Sequence, residues 1–390
     1  MLPDFSNTEI AFSSKSDKEL KDTYRMFKAM NNPTLVKLMS SLGLLAVKLR
    51  LPFHEKIVKE TMFEIFCGGI SLLESQTSIE LLGQHSVESV LDYGAEGKSE
   101  DEELDLVKDE VLKGIRFAAS NECVPVVSTK MTALAANETL KKMNAGVTLT
   151  SEEKVTKERL IDRLKEIGSL AAELKVRVFM DAEETWIQDA IDILVRDMMR
   201  EFNRETAFIY TTYQLYLKDG LQRMKDEFAL SQKEGFILGA KIVRGAYMNK
   251  EREHAELHKK LSPIHNTKED CDKDYNDGVR FCVDNYENMA SCVASHNLES
   301  NLLLARLIEE KNIPKNHPHL NFCQLLGMSD YITYNLAASG YNVGKYMVYG
   351  PVRDVVPYLI RRAQENTSIT GEMSRELTLI KKEMERRALL

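Results

Sequence analysis

Residues 177–214 read RVFMDAEETWIQDAIDILVRDMMREFNRETAFIYTTYQ. The opening run Arg177–Asp181 and the closing run Phe208–Gln214 are short and rich in β-branched and aromatic residues, as strands are. Between them Gln188–Phe202 is helix-patterned. Strand, helix, strand in that order is the repeating unit of a parallel sheet.

The same rhythm extends in both directions. Further strand-like runs are Ser89–Tyr93, Val124–Thr132, Leu238–Tyr247, Met289–His296, Leu320–Leu326 and Lys345–Tyr349. Helix-patterned stretches separate them at Asp101–Ala119, Ser151–Leu174, Tyr216–Glu234, Lys250–Tyr286, Glu299–Glu310 and Asp330–Ser339, and Pro351–Glu365 supplies the last. Eight strands alternating with eight helices is the count of a closed α/β barrel, so the expected fold is a (β/α)8 TIM-type barrel. An open doubly wound sheet would announce itself with a glycine-rich first turn, and no GxGxxG is present. Gly340-Tyr-Asn-Val-Gly344-Lys345 is one residue short of a P-loop and runs into Tyr346, so it reads as a turn before the last strand. Upstream, residues 16–84 read as helical through Met26, Met30, Leu35, Leu38, Leu42 and Leu45, with breaks at Pro33 and Pro52 and a long helix from His54 to about Glu74. The expected division is a helical region over 1–85, a catalytic barrel over 86–369 and a C-terminal helix over 370–390.

The 390 residues are 43% hydrophobic and 29% charged, with net charge −8. That is ordinary globular composition, and the acidic balance argues against nucleic acid as a partner. Six cysteines are scattered with no CxxC pair, as in reduced intracellular proteins. The start lacks a basic n-region, and Asp4 and Glu9 argue against a transit peptide. The apolar stretch Leu42–Leu51 is interrupted by Lys48 and Arg50 and is too short to cross a bilayer. The expectation is a soluble or at most peripheral protein.

In such a barrel the chemistry collects at the C-terminal ends of the strands. Lys130 closes the second run, and Asp181 closes the third, followed by Ala182-Glu183-Glu184. The fifth reads Lys241-Ile-Val-Arg244-Gly245-Ala-Tyr247, the sixth ends Ala294-Ser-His296-Asn297, and the eighth carries Tyr346 and Tyr349. Taken singly, a strand-end lysine or aspartate is often a structural ion pair, and a lone histidine a core residue. Their joint placement on one barrel face points to a site. On the last helix Tyr358, Arg361, Arg362 and Glu365 share one face, and two adjacent arginines beside an aromatic make a fork for a carboxylate. His254 and His258 are spaced to clamp a metal, but the surrounding charges look solvated and the HExxH order is missing, so no metal is assigned.

Several of these motifs resemble the proline dehydrogenase (proline oxidase) family. Lys241–Tyr247 followed by Glu251-Arg252 looks like that family's fifth-strand signature. Tyr349-Gly-Pro-Val and Pro357-Tyr-Leu-Ile-Arg-Arg-Ala-Gln-Glu-Asn366 resemble its final strand and helix. Phe179–Glu184, Ala294–Asn297 and Gln324-Leu-Leu-Gly-Met328 also fit, so the resemblance runs from about residue 55 to the C-terminus. It is closer to the mitochondrial-type branch, and no aldehyde dehydrogenase domain follows, which implies a monofunctional form. Two departures stand out: Lys241 and Arg244 exchange the charges of some bacterial relatives, and Thr211 stands where some carry glutamine.

The resemblance implies FAD-dependent oxidation of L-proline to Δ1-pyrroline-5-carboxylate, with hydride passing from C5 to flavin N5 and electrons then to a quinone. It assigns Arg361, Arg362 and Lys130 to the substrate carboxylate, Tyr346 and Tyr358 to the ring, and Asp181 and Tyr247 to the same pocket. Glu96 would pair with the first arginine and gate the pocket. Thr211, Lys241, Arg244, Gly245, His296, Asn297, Gln324 and Glu365 would contact FAD. The implied setting is the bacterial cytoplasm, with peripheral contact at the inner membrane, or the mitochondrial matrix for a eukaryotic chain. The nearest rival is hydroxyproline dehydrogenase, whose members carry a small residue in place of Tyr346. A metal-dependent aldolase using His254 and His258 and a non-catalytic binding barrel are more remote.

Overall fold

The computed structural model describes residues 2–30, 62–94, 100–368 and 370–390, with side chains except at 30 and 363–374. The expectations at Pro33, Leu35, Leu38, Leu42–Leu51, Pro52 and Glu96 fall outside the described residues.

Among the described residues nine strands form one sheet: β1 (Cys67–Gly69), β2 (Glu88–Tyr93), β3 (Val126–Lys130), β4 (Arg177–Asp181), β5 (Ile209–Gln214), β6 (Leu238–Val243), β7 (Met289–Ala294), β8 (Leu320–Leu325) and β9 (Val343–Tyr349). Their order is β1-β9-β2-β3-β4-β5-β6-β7-β8, and β9 also pairs with β8. The eight strands β2–β9 are those expected from the sequence, and they make the (β/α)8 barrel. The chain divides into two compact units, one of residues 1–94, 296–302 and 323–390, the other of 95–295 and 303–322.

In the second unit every residue of β5 is buried, as are the first five of β6 and of β7. Burial on both faces explains why these strands read as nearly continuous apolar runs rather than alternating ones. The helix Thr185–Phe202 covers β5 with a stripe that includes Ile187, Ile191, Leu194, Val195 and Met198. Asn203 then ties the helix end to the sheet: its Oδ1 accepts Phe208 N–H at 3.0 Å and Ile209 N–H at 2.9 Å, and its Nδ2 donates to Ile237 O at 3.1 Å. Gly239 on β6 has no room for a side chain, since a Cβ would stand 2.2 Å from Ile209 O.

Two expectations in this unit are corrected, and one helix is added to them. The stretch Lys250–Tyr286 is two helices, Met248–Leu257 and Lys268–Asp284. Between them Pro263–His265 is extended, paired with Tyr216–Lys218 through Lys218 N–H to Pro263 O (2.9 Å) and His265 N–H to Tyr216 O (2.8 Å). Proline cannot donate into a helix, so the break falls there. The run Leu238–Tyr247 stops being strand at Val243, before Gly245 with φ +143. An unexpected short helix, Asn137–Asn144, follows β3; its N-cap Ala136 offers no side-chain bond, and so no sequence signal.

In the first unit β9 lies between β1 and β2 in parallel register, with Val90 opposite Tyr346 and Tyr93 opposite Tyr349. The long helix expected from His54 to Glu74 does not persist: Glu64–Phe66 is helical, Cys67–Gly69 is strand, and a new helix Leu72–Gly83 begins behind the Ser71 cap. Gly68-Gly69 is the physical cause, because a Cβ on Gly69 would meet Glu74 Cβ at 2.6 Å. The N-terminal segment is stapled to the end of the chain. Arg387 donates to Phe12 O and Lys15 O, both at 2.8 Å, and Asn335 Nδ2 donates to Asn7 O at 3.2 Å. Among the described residues no helix is long and apolar enough to cross a membrane.

Candidate active site

In the 95–295 unit, Lys130 and Asp181 are the last residues of neighbouring strands and stand in register. Period-two alternation puts Ser128 on the same face as Lys130. Ser128 Oγ donates to Asp181 Oδ1 at 2.9 Å, and Lys241 Nζ of β6 bonds the same oxygen. The side chains of Lys241 and Asp181 are 6% and 14% exposed. The Lys241 ammonium also lies 5.6 Å from the Phe179 ring centre. A buried cation and anion here hold each other in fixed positions.

Just past β4, Glu183 was not singled out by the sequence as a site residue. Its carboxylate accepts Thr132 N–H at 2.9 Å and the Thr132 hydroxyl at 2.5 Å. Burial pushes its pKa up to about 7, against the opposing bonds from Thr132 and the charge of Lys130. Gln214 at the end of β5 donates to Glu183 O at 2.8 Å, which fixes the turn. Carboxyl and amide residues at strand ends were the available sequence signal.

Arg244 donates from Nε to Asp272 Oδ1 at 2.8 Å and from Nη1 to Ser295 Oγ at 2.9 Å, and its guanidinium lies 4.2 Å from the Tyr275 ring centre. Gly245 adopts φ +143, and a Cβ there would strike the Tyr216 ring at 2.4 Å. Tyr247 precedes the helix Met248–Leu257, with the Lys250 ammonium 5.3 Å from its ring centre. Thr211 Oγ1 is fully buried and has no hydrogen-bond partner among the described residues. Such a group costs about 1–3 kcal/mol unless something bonds it. Lys241 lies on the neighbouring strand β6, and Arg244 follows that strand's last residue. Lys241, opposite Thr212, shares a face with Asp181 and Phe179, whereas Thr211, opposite Ala240, belongs to the other face of the sheet; Lys241 and Arg244 supply positive charge at and just past the end of β6.

In the other unit, His296 Nδ1 is 2.9 Å from Ser329 Oγ. Asn297 caps the helix Leu298–Glu310, its Oδ1 accepting Ser300 N–H at 2.9 Å. Gln324 on β8 donates to Asn301 Oδ1 at 3.1 Å and accepts the Thr333 hydroxyl at 2.8 Å. Tyr346 on β9 is buried. The helix Val352–Ser368 carries Tyr358 and Arg362, both buried, with the guanidinium 5.0 Å from the tyrosine ring centre. Arg361 beside them is half-buried. Glu365 is on the same helix, its side chain outside the described ones.

His254 stacks on Trp186 at 4.1 Å and neighbours the His258 ring at 4.3 Å. Burial and the neighbouring His258 lower its pKa. No group of three or more metal-binding side chains occurs among the described residues.

A parallel barrel with ionised residues on its strand ends is the frame of a (β/α)8-barrel enzyme. The family model for proline dehydrogenase matches residues 75–375, and the chain belongs to that family of oxidoreductases. It is 32% identical to "Proline dehydrogenase 1, mitochondrial" of Dictyostelium discoideum, over 98% of this chain and 74% of that one. It is 29% identical to hydroxyproline dehydrogenase of Xenopus laevis, over 96% of this chain and 88% of that one. Among solved structures, proline utilization A of Bdellovibrio bacteriovorus, inactivated by N-propargylglycine, is similar with TM-score 0.72 at 23% identity. The match covers 92% of this chain but only 38% of that one, and the likeness is one of fold.

Proposed function

We propose that this chain oxidises L-proline to Δ1-pyrroline-5-carboxylate using FAD and delivers the electrons to a quinone. The observation that carries the reading is the extent of the family match: residues 75–375 include every candidate site residue from Glu96 to Glu365. Thr211, Lys241, Arg244, Gly245, His296, Asn297, Gln324 and Glu365 are the flavin contacts, a reading supported by the positive charge of Lys241 and Arg244 at the end of β6. Bound FAD supplies the two-electron acceptor that no amino-acid side chain provides.

The chain's own part is to bind and orient. Proline is a small zwitterion with few handles, and its carboxylate is the strongest. Arg361 and Arg362 hold that carboxylate, because a guanidinium pair fixes both its position and its plane. The Tyr358 ring keeps Arg362 in place. Tyr346 and Tyr358 bound the pyrrolidine ring and exclude water from C5. Lys130 and Asp181 at strand ends, and Tyr247 at the start of the helix after β6, are further substrate contacts, with Asp181 held by Ser128 and Lys241. Glu96 gates entry. Loss of hydride from C5 and of the proton on nitrogen leaves a C5=N double bond. The catalytic barrel is assigned to 86–369, after a helical region over 1–85 and before a C-terminal helix over 370–390. The setting is the bacterial cytoplasm with peripheral membrane contact, or the mitochondrial matrix in a eukaryote.

Hydroxyproline is the second candidate substrate, favoured by the similarity to the Xenopus enzyme. Tyr346 argues for proline: it is buried, and a phenol packed against C4 of the ring would leave no room for a 4-hydroxyl. Purified protein should be yellow and release FAD on heating. Folded protein that is colourless and takes up no added FAD would overturn the reading.

A further inference from the structure

Ser329, the partner of His296, sits in the left-handed backbone region at φ 54 and ψ 40. A residue with a Cβ stays there only if its surroundings hold it. Two buried groups, Glu376 and Lys345, and the half-buried Lys15 surround it from distant parts of the chain. Glu376, on the helix Thr370–Arg386, accepts Ser329 N–H with Oε2 at 2.9 Å and Asp330 N–H with Oε1 at 3.2 Å. Lys345 Nζ of β9 donates to Met328 O at 2.5 Å and pairs with Asp330 Oδ1 at 2.8 Å. Lys15 Nζ reaches Asp330 Oδ2 at 3.1 Å.

Holding the turn this way buries several ionisable groups together. Burial and the neighbouring Asp330 charge push the Glu376 carboxyl up to about 7. A simple helix start would need none of this, because glycine takes the same backbone angles unaided. What glycine would not supply is the Ser329 hydroxyl at the His296 ring.

We propose that Glu376 is a positioning residue for His296: its two bonds to the 329–330 backbone lock the turn that aims Ser329 Oγ at Nδ1 and so fix the imidazole. The inference rests on reading His296 as a flavin contact, and it assigns a role in the flavin site to a residue 80 positions away in sequence (376 − 296).

The test uses the FAD-loaded enzyme and its apoprotein, with His296→Ala, Ser329→Ala and Glu376→Ala. Glu383→Gln, on the same helix and bound to Arg386 and Arg387, is the control for helix damage alone. The readouts are the visible spectrum of bound flavin, the FAD dissociation constant from apoprotein titration, and Tm. All three site variants should change the flavin spectrum in the same direction and weaken FAD binding by about tenfold, the loss of one polar contact. The Ser329→Ala/Glu376→Ala double variant should be no worse than the worse single one, since both act through one bond. Glu383→Gln should lower Tm with the spectrum and FAD affinity unchanged. If His296→Ala alters flavin binding while Ser329→Ala leaves spectrum and affinity untouched, this inference is overturned and the flavin reading stands. A Glu376→Ala variant that lowers only Tm overturns it equally. Ser329→Ala keeps the Glu376 bonds to the turn intact, so it remains decisive even if Glu376→Ala does not fold. If His296→Ala itself is silent, or the unaltered protein takes up no FAD, the underlying reading fails and takes the inference with it.

Discussion

Lys241 on β6 and Lys345 on β9 are both buried ammonium groups facing an aspartate from an apolar strand. Their partners separate them. Lys345, 1% exposed, gives its protons to Asp330 Oδ1, to Met328 O in the turn that follows β8, and to Leu325 O at the end of β8, two of the three being main-chain carbonyls. It holds backbone. Lys241 meets the carboxylate of Asp181, which Ser128 also holds, at the open end of β4. It holds a side chain. Burial raises the Asp330 pKa, but Lys345 and Lys15 outweigh it and keep that carboxyl well below the usual carboxylate range. A buried lysine that saturates itself on main chain builds the fold, and one that fixes another functional group at a strand end builds a site.

The largest effect should come from cutting the structural pair. Lys345→Met leaves Asp330 buried with Lys15 alone, and breaking such a pair costs about 3–5 kcal/mol. The urea midpoint should fall accordingly. Lys241→Met should lose less stability but lose FAD occupancy, read from the flavin-to-protein absorbance ratio. Equal stability losses with full flavin in both would erase the distinction.

Glu183 sharpens the comparison as a carboxyl influenced by Lys130, whose pKa burial lifts from the ordinary 4.5 to about 7. The folded state then holds this proton more tightly than the unfolded one. Its contribution is present below about pH 4.5 and is lost as pH rises to about 7. The shift corresponds to roughly 3 kcal/mol. Glu183→Gln should therefore gain on the unaltered protein by up to that amount between those limits, in urea melts at a series of pH values. A difference that does not change with pH would show that Glu183 titrates normally.

Arg361→Met and Arg362→Met probe the helix arginines against the strand-end lysines. Each should lower kcat/KM for proline about tenfold or more, from the loss of a charge-assisted bond of roughly 1.5–3 kcal/mol, with FAD retained. Unchanged proline kinetics in both would put the carboxylate elsewhere. A smaller effect is expected at Tyr346. Proline should exceed trans-4-hydroxy-L-proline more than tenfold in kcat/KM, and Tyr346→Ser should narrow the ratio, because a buried unpaired hydroxyl costs about 1–3 kcal/mol. Preference for hydroxyproline in the unaltered enzyme would reverse the assignment.

The two lysines also differ in how far the sequence reveals them. All eight barrel strands are legible, since burial on both faces writes itself as apolar runs, and Asp181 and Lys241 stand out as charges on such runs. Lys345 is visible only as the last residue of a failed P-loop match and the first of the final strand-like run. Its partner Asp330 lies 15 residues away, and Lys15 joins the same carboxylate from 315 residues away, separations that no local pattern encodes. Glu376 is hidden for the same reason: nothing in its own helix says that it holds a turn 46 residues earlier. Strand β1 escapes because three residues, two of them glycine, carry no periodicity. The break at Pro263 is legible in the proline itself, but the helical pattern on either side masks it.

The most direct test of the central claim is an anaerobic titration of the purified FAD-loaded protein with L-proline, followed in the visible spectrum. The flavin band should bleach in proportion to added proline and return when a quinone is admitted, with Δ1-pyrroline-5-carboxylate accumulating mole for mole. Flavin that stays oxidised under excess proline, while bleaching with a chemical reductant, would contradict the account.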